Sequence, residues 1–307
     1  MVNYMKLLFL SLLGVFLYSL YIRIFKKASQ YERDDGPSSH KKKQGTITVG
    51  GIIFIILPLF FIVYDNKTLS ISLVMLLYGL LGLVDDLLII IKKNNNGINP
   101  NIKLLVQIII AGLAFFIYLK LDYDTVINVL HYQINIKWLY GILMLGILTA
   151  STNAFNITDG IDGLLSGLTI IMGIGFMYIA YKQSEINILY MLICVNIVVF
   201  IFWCFNMPKA QLFMGDTGSL ALGAFYSMVA VNLDSIYSFM LMALLIIFET
   251  ISVILQVFYY KKTKGKRLFK MAPFHHHLEA IGYNEIGIDL IFYTIEAILV
   301  SIVIFIN

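Results

Sequence analysis

The sequence predicts an all-α, polytopic integral membrane protein with about ten transmembrane helices and both termini outside. Three observations carry this. Of 307 residues, 60% are hydrophobic and 13% charged, against roughly a quarter charged in an average soluble domain. The mean hydropathy of +0.86 is more apolar than a soluble fold of this length can bury. The basic residues are also unequally divided, 17 of the 22 falling in alternate connections.

The apolar segments are 4–24, 47–64, 69–91, 102–120, 138–155, 164–181, 187–205, 217–233, 237–260 and 286–306. Each approaches the roughly 20 residues that cross a bilayer as a helix. The first is too long for the apolar part of a signal peptide, and its basic residues follow it. It reads as a retained span. The connections are short, no internal repeat is present, and 1–307 reads as a single domain.

Orientation follows from lysine and arginine. The richer connections hold Lys41, Lys42, Lys43, Lys92, Lys93, Lys103 and the basic run 261–270; the poorer ones hold Lys6, Lys67, Lys120, Lys137 and Lys182. The richer set is assigned to the cytoplasm. The net charge of +4 is then a topology signal, and no nucleic-acid partner is expected. Membrane lipid is the expected surroundings, with anionic headgroups against the basic clusters. Cys194 and Cys204 lie in one apolar run and read as small hydrophobes.

The polar residues collect on the same side. Asp85 and Asp86 lie inside the third span, about six residues or roughly 9 Å from its end. A carboxylate at mid-membrane costs roughly 2.5–3.5 kcal/mol, so an adjacent pair calls for a cation or a watery cleft. In residues 153–164 Asn153, Asn156, Asp159 and Asp162 recur at every third position. That spacing drifts about 60° per step on a helix, so the four cannot share one face. Gly160 and Gly163 break the helix there, leaving the aspartates on a turn where backbone can approach a ligand.

Asp216 follows a glycine and precedes an apolar run, as a helix N-cap does. If the helices converge, Asp216, Asp85 and Asp86 provide the one or two carboxylates that magnesium takes beside phosphate oxygens. His275, His276 and His277 follow Pro273 beside the basic loop. As neighbours they point in different directions, which suits phosphate oxygens better than one shared metal. Glu249 and Gln256 lie two helical turns apart on nearly one face of the ninth span. No Walker A loop, C-x-x-C pair or dinucleotide-binding glycine fingerprint is present.

With DDGPSSHKKKQGT, VDD, NAFNITDGIDGL, FMGDTGSLALG and APFHHHLE in this order, the chain resembles the polyprenyl-phosphate N-acetylhexosamine-1-phosphate transferase superfamily. The likeness runs from about residue 33 to residue 285. The histidine run sets apart the branch that uses a muramoyl-pentapeptide donor. The resemblance implies a transferase at the bacterial inner membrane, its site on the cytoplasmic face. It would pass phospho-N-acetylmuramoyl-pentapeptide from UDP-N-acetylmuramoyl-pentapeptide to undecaprenyl phosphate, giving lipid I for peptidoglycan, and UMP.

The residues that match the family's motifs inherit expected roles. Asp216 matches the Mg2+ ligand, while Asp85 and Asp86 match a catalytic pair that serves as base or as metal and diphosphate contacts. Asn153, Asn156, Asp159, Gly160, Asp162, Asn206, Phe213 and Gln256 match the nucleotide-side pocket. Lys43, His275 and His276, with His277 beside them, match groups near sugar and diphosphate, and Lys103 one that meets the polyprenyl phosphate. A homodimer is also implied. Two departures stand out: residues 45–51 read GTITVGG where the family has GTPTMGG, and Ile89 stands where a lysine is usual. One rival is a related transferase for UDP-N-acetylglucosamine. Another is a transporter or channel, which the one-sided clustering disfavours.

Overall fold

A computed structural model describes residues 4–24, 46–60, 65–93, 96–121, 125–129 and 132–307. Three of its helices start where the sequence supplies a side-chain cap. The Asp65 side chain accepts from the Thr68 amide at 2.7 Å and opens α3, Asn66–Lys92. Asn99 caps α4, Pro100–Lys120, with Pro100 in its first turn where a missing N–H costs nothing. Asn284 caps α12, Glu285–Ile306, through the Gly287 amide at 2.7 Å.

Between these lie α5 (Leu139–Thr158), α6 (Leu164–Lys182), α7 (Ile186–Asn206), α8 (Gly215–Asn232), α9 (Ile236–Met242), α10 (Leu244–Lys262) and α11 (Phe274–Ala280), after α1 (Tyr4–Ile24) and α2 (Ile52–Ile56). Among the described residues seven helices are long and apolar enough to cross a membrane: α3, α4, α5, α6, α7, α10 and α12. The protein is a polytopic, mostly helical membrane protein.

Several expected spans look different. Segment 47–64 forms the five-residue α2 and a 3-10 turn, Leu57–Phe60, in which Pro58 lacks a backbone donor; residues 61–64 lie outside the described residues. Segment 237–260 is divided into α9 and α10 at Ala243, whose φ of −85° and ψ of 7° interrupt the helix. No glycine or proline marks that break, so the apolar pattern runs straight through it. The connection after α4 holds an antiparallel pair, β1 (Val126–Val129) and β2 (Tyr132–Asn135), in register Val126↔Asn135.

The centre of the molecule is α8, buried along almost its whole length. Small residues let neighbouring backbones close on it, the usual means of helix packing where lipid gives no hydrophobic drive. A Cβ at Gly82 of α3 would meet the Asp216 carbonyl oxygen at 2.2 Å, and one at Gly223 would meet the Thr152 Cα at 2.7 Å. Hence α3 and α5 lie against α8 backbone to backbone. Buried apolar side chains from Tyr18 to Val303 form one contiguous cluster around it.

Candidate active site

The site begins with a helix N-terminus that its own sequence leaves uncapped. Gly215 turns the chain into α8 at φ 71°, and no side chain within the segment caps it. The cap comes from α3. One Asp86 oxygen accepts the Asp216 amide at 3.0 Å, and the other accepts the Thr217 amide at 3.0 Å and hydroxyl at 2.6 Å. A carboxylate is favoured there because free amides and the helix dipole present positive charge. This corrects the N-cap expectation for Asp216, which stands inside the first turn with its carboxylate free to face elsewhere.

That carboxylate faces α4 and α5. Lys103 forms an ion pair with Asp216 Oδ2, and its Nζ is 3.5 Å from Asp85 Oδ2. Asn156 donates to Asp216 Oδ1 at 2.7 Å and to Ser219 Oγ at 3.0 Å. Asp85 is steered by the Ile98 amide, 2.6 Å from its Oδ1. Of the three carboxylates, Asp216 is the most open, its side chain 21% exposed against 8% for Asp85. Gln107, one turn beyond Lys103, receives the Asn153 amide at 2.8 Å, so Asn153 stands behind this layer.

All these groups meet where the C-terminal parts of α3 and α5 come together with the N-terminal parts of α4 and α8. An ammonium shared by two carboxylates marks a place where a cation is held. Magnesium is suited by one or two carboxylates completed by phosphate oxygens, and Asp216 with Asp85 fits that donor set. Among the described residues no three His, Cys, Asp or Glu side chains form a ready metal cage.

The glycine turn lies beside this cluster. α5 ends at Thr158, Asp159 follows at ψ 48°, and Gly163 takes φ 85° before α6. Burial, and the negative charges of Asp216, Asp86 and Asp162, push the Asp159 carboxyl up to about 8. Asp162 and Asn206 are both 2% exposed and hold loops together. Asp162 accepts the Ala210 amide at 2.9 Å; Asn206 accepts the Gly163 amide at 3.1 Å and donates to the Leu212 carbonyl at 3.0 Å. Phe213 is fixed by its backbone, which pairs with Ile47 at 2.7 Å and Gly50 at 2.8 Å.

The histidine run forms α11 rather than a loop. His275 is fully buried, its amide 3.1 Å from Glu249 Oε1 and its Nδ1 3.1 Å from Glu249 Oε2. The far edge of its ring, Nε2, faces Gly160, where a Cβ would approach it to 2.2 Å. His276 Nδ1 lies 2.7 Å from Glu279 Oε2. His277 Nδ1 accepts the Lys270 amide at 3.2 Å, and Gln256 accepts the Leu268 and Phe269 amides at 3.1 and 2.9 Å. These two residues hold the basic loop in place.

The structure therefore gathers Asp85, Asp86, Lys103, Asn156 and Asp216 directly, with Asp159, Gly160 and His275 alongside. Asn153 supports that layer through Gln107, and Asp162 and Asn206 hold the glycine turn to the end of α7 and the loop after it. Phe213 pairs with the 47–50 segment, and Gln256 and His277 hold the basic loop. Lys43 lies outside the described residues. Gln107, Thr217 and Ser219 were not anticipated as site residues, and Glu249 was noted only for its helix face. The signal for the first was its place four residues after Lys103, on the same helix face.

Fold and site together define a polytopic membrane protein with an acidic, lysine-bridged site at one end of its helices. Residues 68–234 match the family model described as glycosyl transferase family 4. A protein of Staphylococcus saprophyticus named phospho-N-acetylmuramoyl-pentapeptide-transferase is 37% identical, over 89% of this chain and 88% of its own. Proteins of the same name from Listeria welshimeri and Bacillus velezensis are 37% and 39% identical, over 88% and 92% of this chain and 86% and 90% of their own. The chain belongs to glycosyl transferase family 4, on its phospho-N-acetylmuramoyl-pentapeptide-transferase branch.

Proposed function

We propose that the protein transfers phospho-N-acetylmuramoyl-pentapeptide from its UDP-linked donor to undecaprenyl phosphate, releasing UMP and forming lipid I for peptidoglycan. The observation that carries this reading is the Lys103 ammonium shared by Asp216 and Asp85 next to the glycine turn of Asp159 and Gly160. The names of the relatives support the donor and acceptor.

The attacking group is a phosphate monoester, whose second pKa near 6 leaves it largely ionised at neutral pH. Position and charge neutralisation then matter more than a strong base. Asp216 and Asp85 would hold Mg2+, which when bound draws charge from the donor diphosphate. Lys103 offers its ammonium to the acceptor phosphate, and Asn156 keeps the Asp216 carboxylate turned toward the reacting groups. Asp86, with both oxygens engaged by α8, orients Asp216 from behind. Asp159 and Gly160 offer a carboxyl and a close backbone to the nucleotide-sugar, and the Nε2 edge of His275 borders the same turn.

The lipid acceptor has an approach. A groove of about 190 Å3 between α5, α9 and α10 is lined by Ile147, Ala154, Phe155, Phe239, Ile246 and Ile251. Asn156 follows Phe155 directly, so a polyprenyl chain in the groove brings its phosphate toward the Asp216 layer. The distribution of basic residues supports a cytoplasmic site, with both termini outside. The bacterial sources of the relatives support a cell-membrane location, and a homodimer is proposed only on the family resemblance.

UMP release by purified protein in undecaprenyl-phosphate vesicles tests this reading. Release is expected with UDP-N-acetylmuramoyl-pentapeptide and Mg2+, and background with UDP-N-acetylglucosamine or chelator. Equal release from both donors would favour the related transferase instead.

A further inference from the structure

The hydroxyl of Tyr293, on α12, donates to the Gly163 carbonyl at 2.6 Å and receives the Trp203 indole N–H from α7 at 3.0 Å. The direction of this chain is fixed by chemistry. An indole only donates, a carbonyl only accepts, and one phenol can do both. The Tyr293 ring also fills the space that Gly167 leaves open: a Cβ there would meet the ring at 2.1 Å.

Gly163 is the residue that turns the chain at φ 85° into α6, and its carbonyl ends the turn carrying Asp159, Gly160 and Asp162. On the other side, the Gly163 amide is held by Asn206 at 3.1 Å, and Asp162 holds Ala210 at 2.9 Å. Those two bonds tie the turn to the end of α7 and to the loop after it. Tyr293 ties it to α12 through this hydrogen bond, and Trp203 fixes the hydroxyl.

We infer that Tyr293, oriented by Trp203, is a positioning residue that holds the Asp159–Gly163 turn in the shape that binds the nucleotide-sugar. This rests on the reading of that turn as the donor pocket. The hydrogen bond from Tyr293 to the turn is made to its backbone, so it acts on donor affinity and leaves the reacting groups at Asp216 and Lys103 in place.

The test is a double-mutant cycle read in KM and kcat. Tyr293→Phe is expected to raise KM for UDP-N-acetylmuramoyl-pentapeptide about fivefold, the order of losing one hydrogen bond, with kcat within about twofold. Trp203→Phe is expected to raise KM by less, since the phenol can still reach Gly163. Trp203 acts through Tyr293, so the double variant should match Tyr293→Phe alone rather than add to it. An unchanged KM in Tyr293→Phe, a loss confined to kcat, or strict additivity would overturn the inference. Melting temperatures of all three variants identify a general loss of fold, which would lower kcat and stability together. Wild-type protein that releases no UMP would instead remove the functional reading.

Discussion

Asp86 and Thr217 are joined twice, the carboxylate accepting the threonine amide at 3.0 Å and its hydroxyl at 2.6 Å. With the Asp216 amide on its other oxygen at 3.0 Å, Asp86 serves as the N-terminal cap that α8 lacks. The adjacent Asp85 instead faces Lys103. Two neighbouring aspartates thus do different work. We expect Asp86→Asn to lose about 1–3 kcal/mol of stability, because an amide N–H would face backbone donors. Asp85→Asn should show a smaller fall in melting temperature and a loss of turnover. Thermal unfolding of the detergent-solubilised variants beside their UMP release checks both.

Lys103 occupies the position between Asp216 and Asp85 that a metal cation would share. Replacing it with Gln leaves two carboxylates facing each other with no compensating charge. Lys103→Gln is therefore expected to bind Mn2+ more tightly in the absence of substrate, as read by electron paramagnetic resonance. Turnover should fall about a hundredfold or more through loss of the ammonium at the phosphate. Unchanged Mn2+ affinity would contradict the shared position.

Asp159 gives a pH-dependent expectation. Its carboxyl sits at about 8 in the fold, well above the ordinary carboxylate range of about 4. A raised carboxyl makes the folded state hold its proton more tightly than the unfolded chain. The fold is thus unpenalised below pH 4, loses stability as pH rises from there, and carries the full penalty above pH 8. Asp159→Asn should melt higher than wild type at pH 8–9, with the gap closing toward pH 4, while donor KM rises. A melting difference independent of pH would argue against this.

Gly82→Ala tests the approach of α3 to α8. The added methyl would meet the Asp216 carbonyl oxygen at 2.2 Å, and overpacking of this kind costs about 1–3 kcal/mol. A lower melting temperature with disproportionate loss of turnover is expected, because the helices carrying Asp86 and Asp216 are pushed apart.

Much of this was legible in the sequence, and the exceptions have physical reasons. The helix break at Gly160 and Gly163 was readable because glycine permits the φ of 85° found at Gly163. The convergence of Asp85, Asp86 and Asp216 was only conditional, since a motif does not show which helices meet. The break at Ala243 was invisible, as alanine is a strong helix former. The different orientations of Asp85 and Asp86, and the role of Asp86 as a cap across 130 residues, depend on tertiary contacts that spacing does not encode. The same is true of Glu249, whose partner His275 lies 26 residues further on.

The most direct measurement is the Mg2+ dependence of UMP release by Asp216→Asn beside wild type, with UDP-N-acetylmuramoyl-pentapeptide and undecaprenyl phosphate in vesicles. Wild type should show saturable, Mg2+-dependent release, and the folded variant should fall to background at every Mg2+ concentration. A variant that keeps a near-normal rate with the same Mg2+ dependence would contradict a site centred on Asp216.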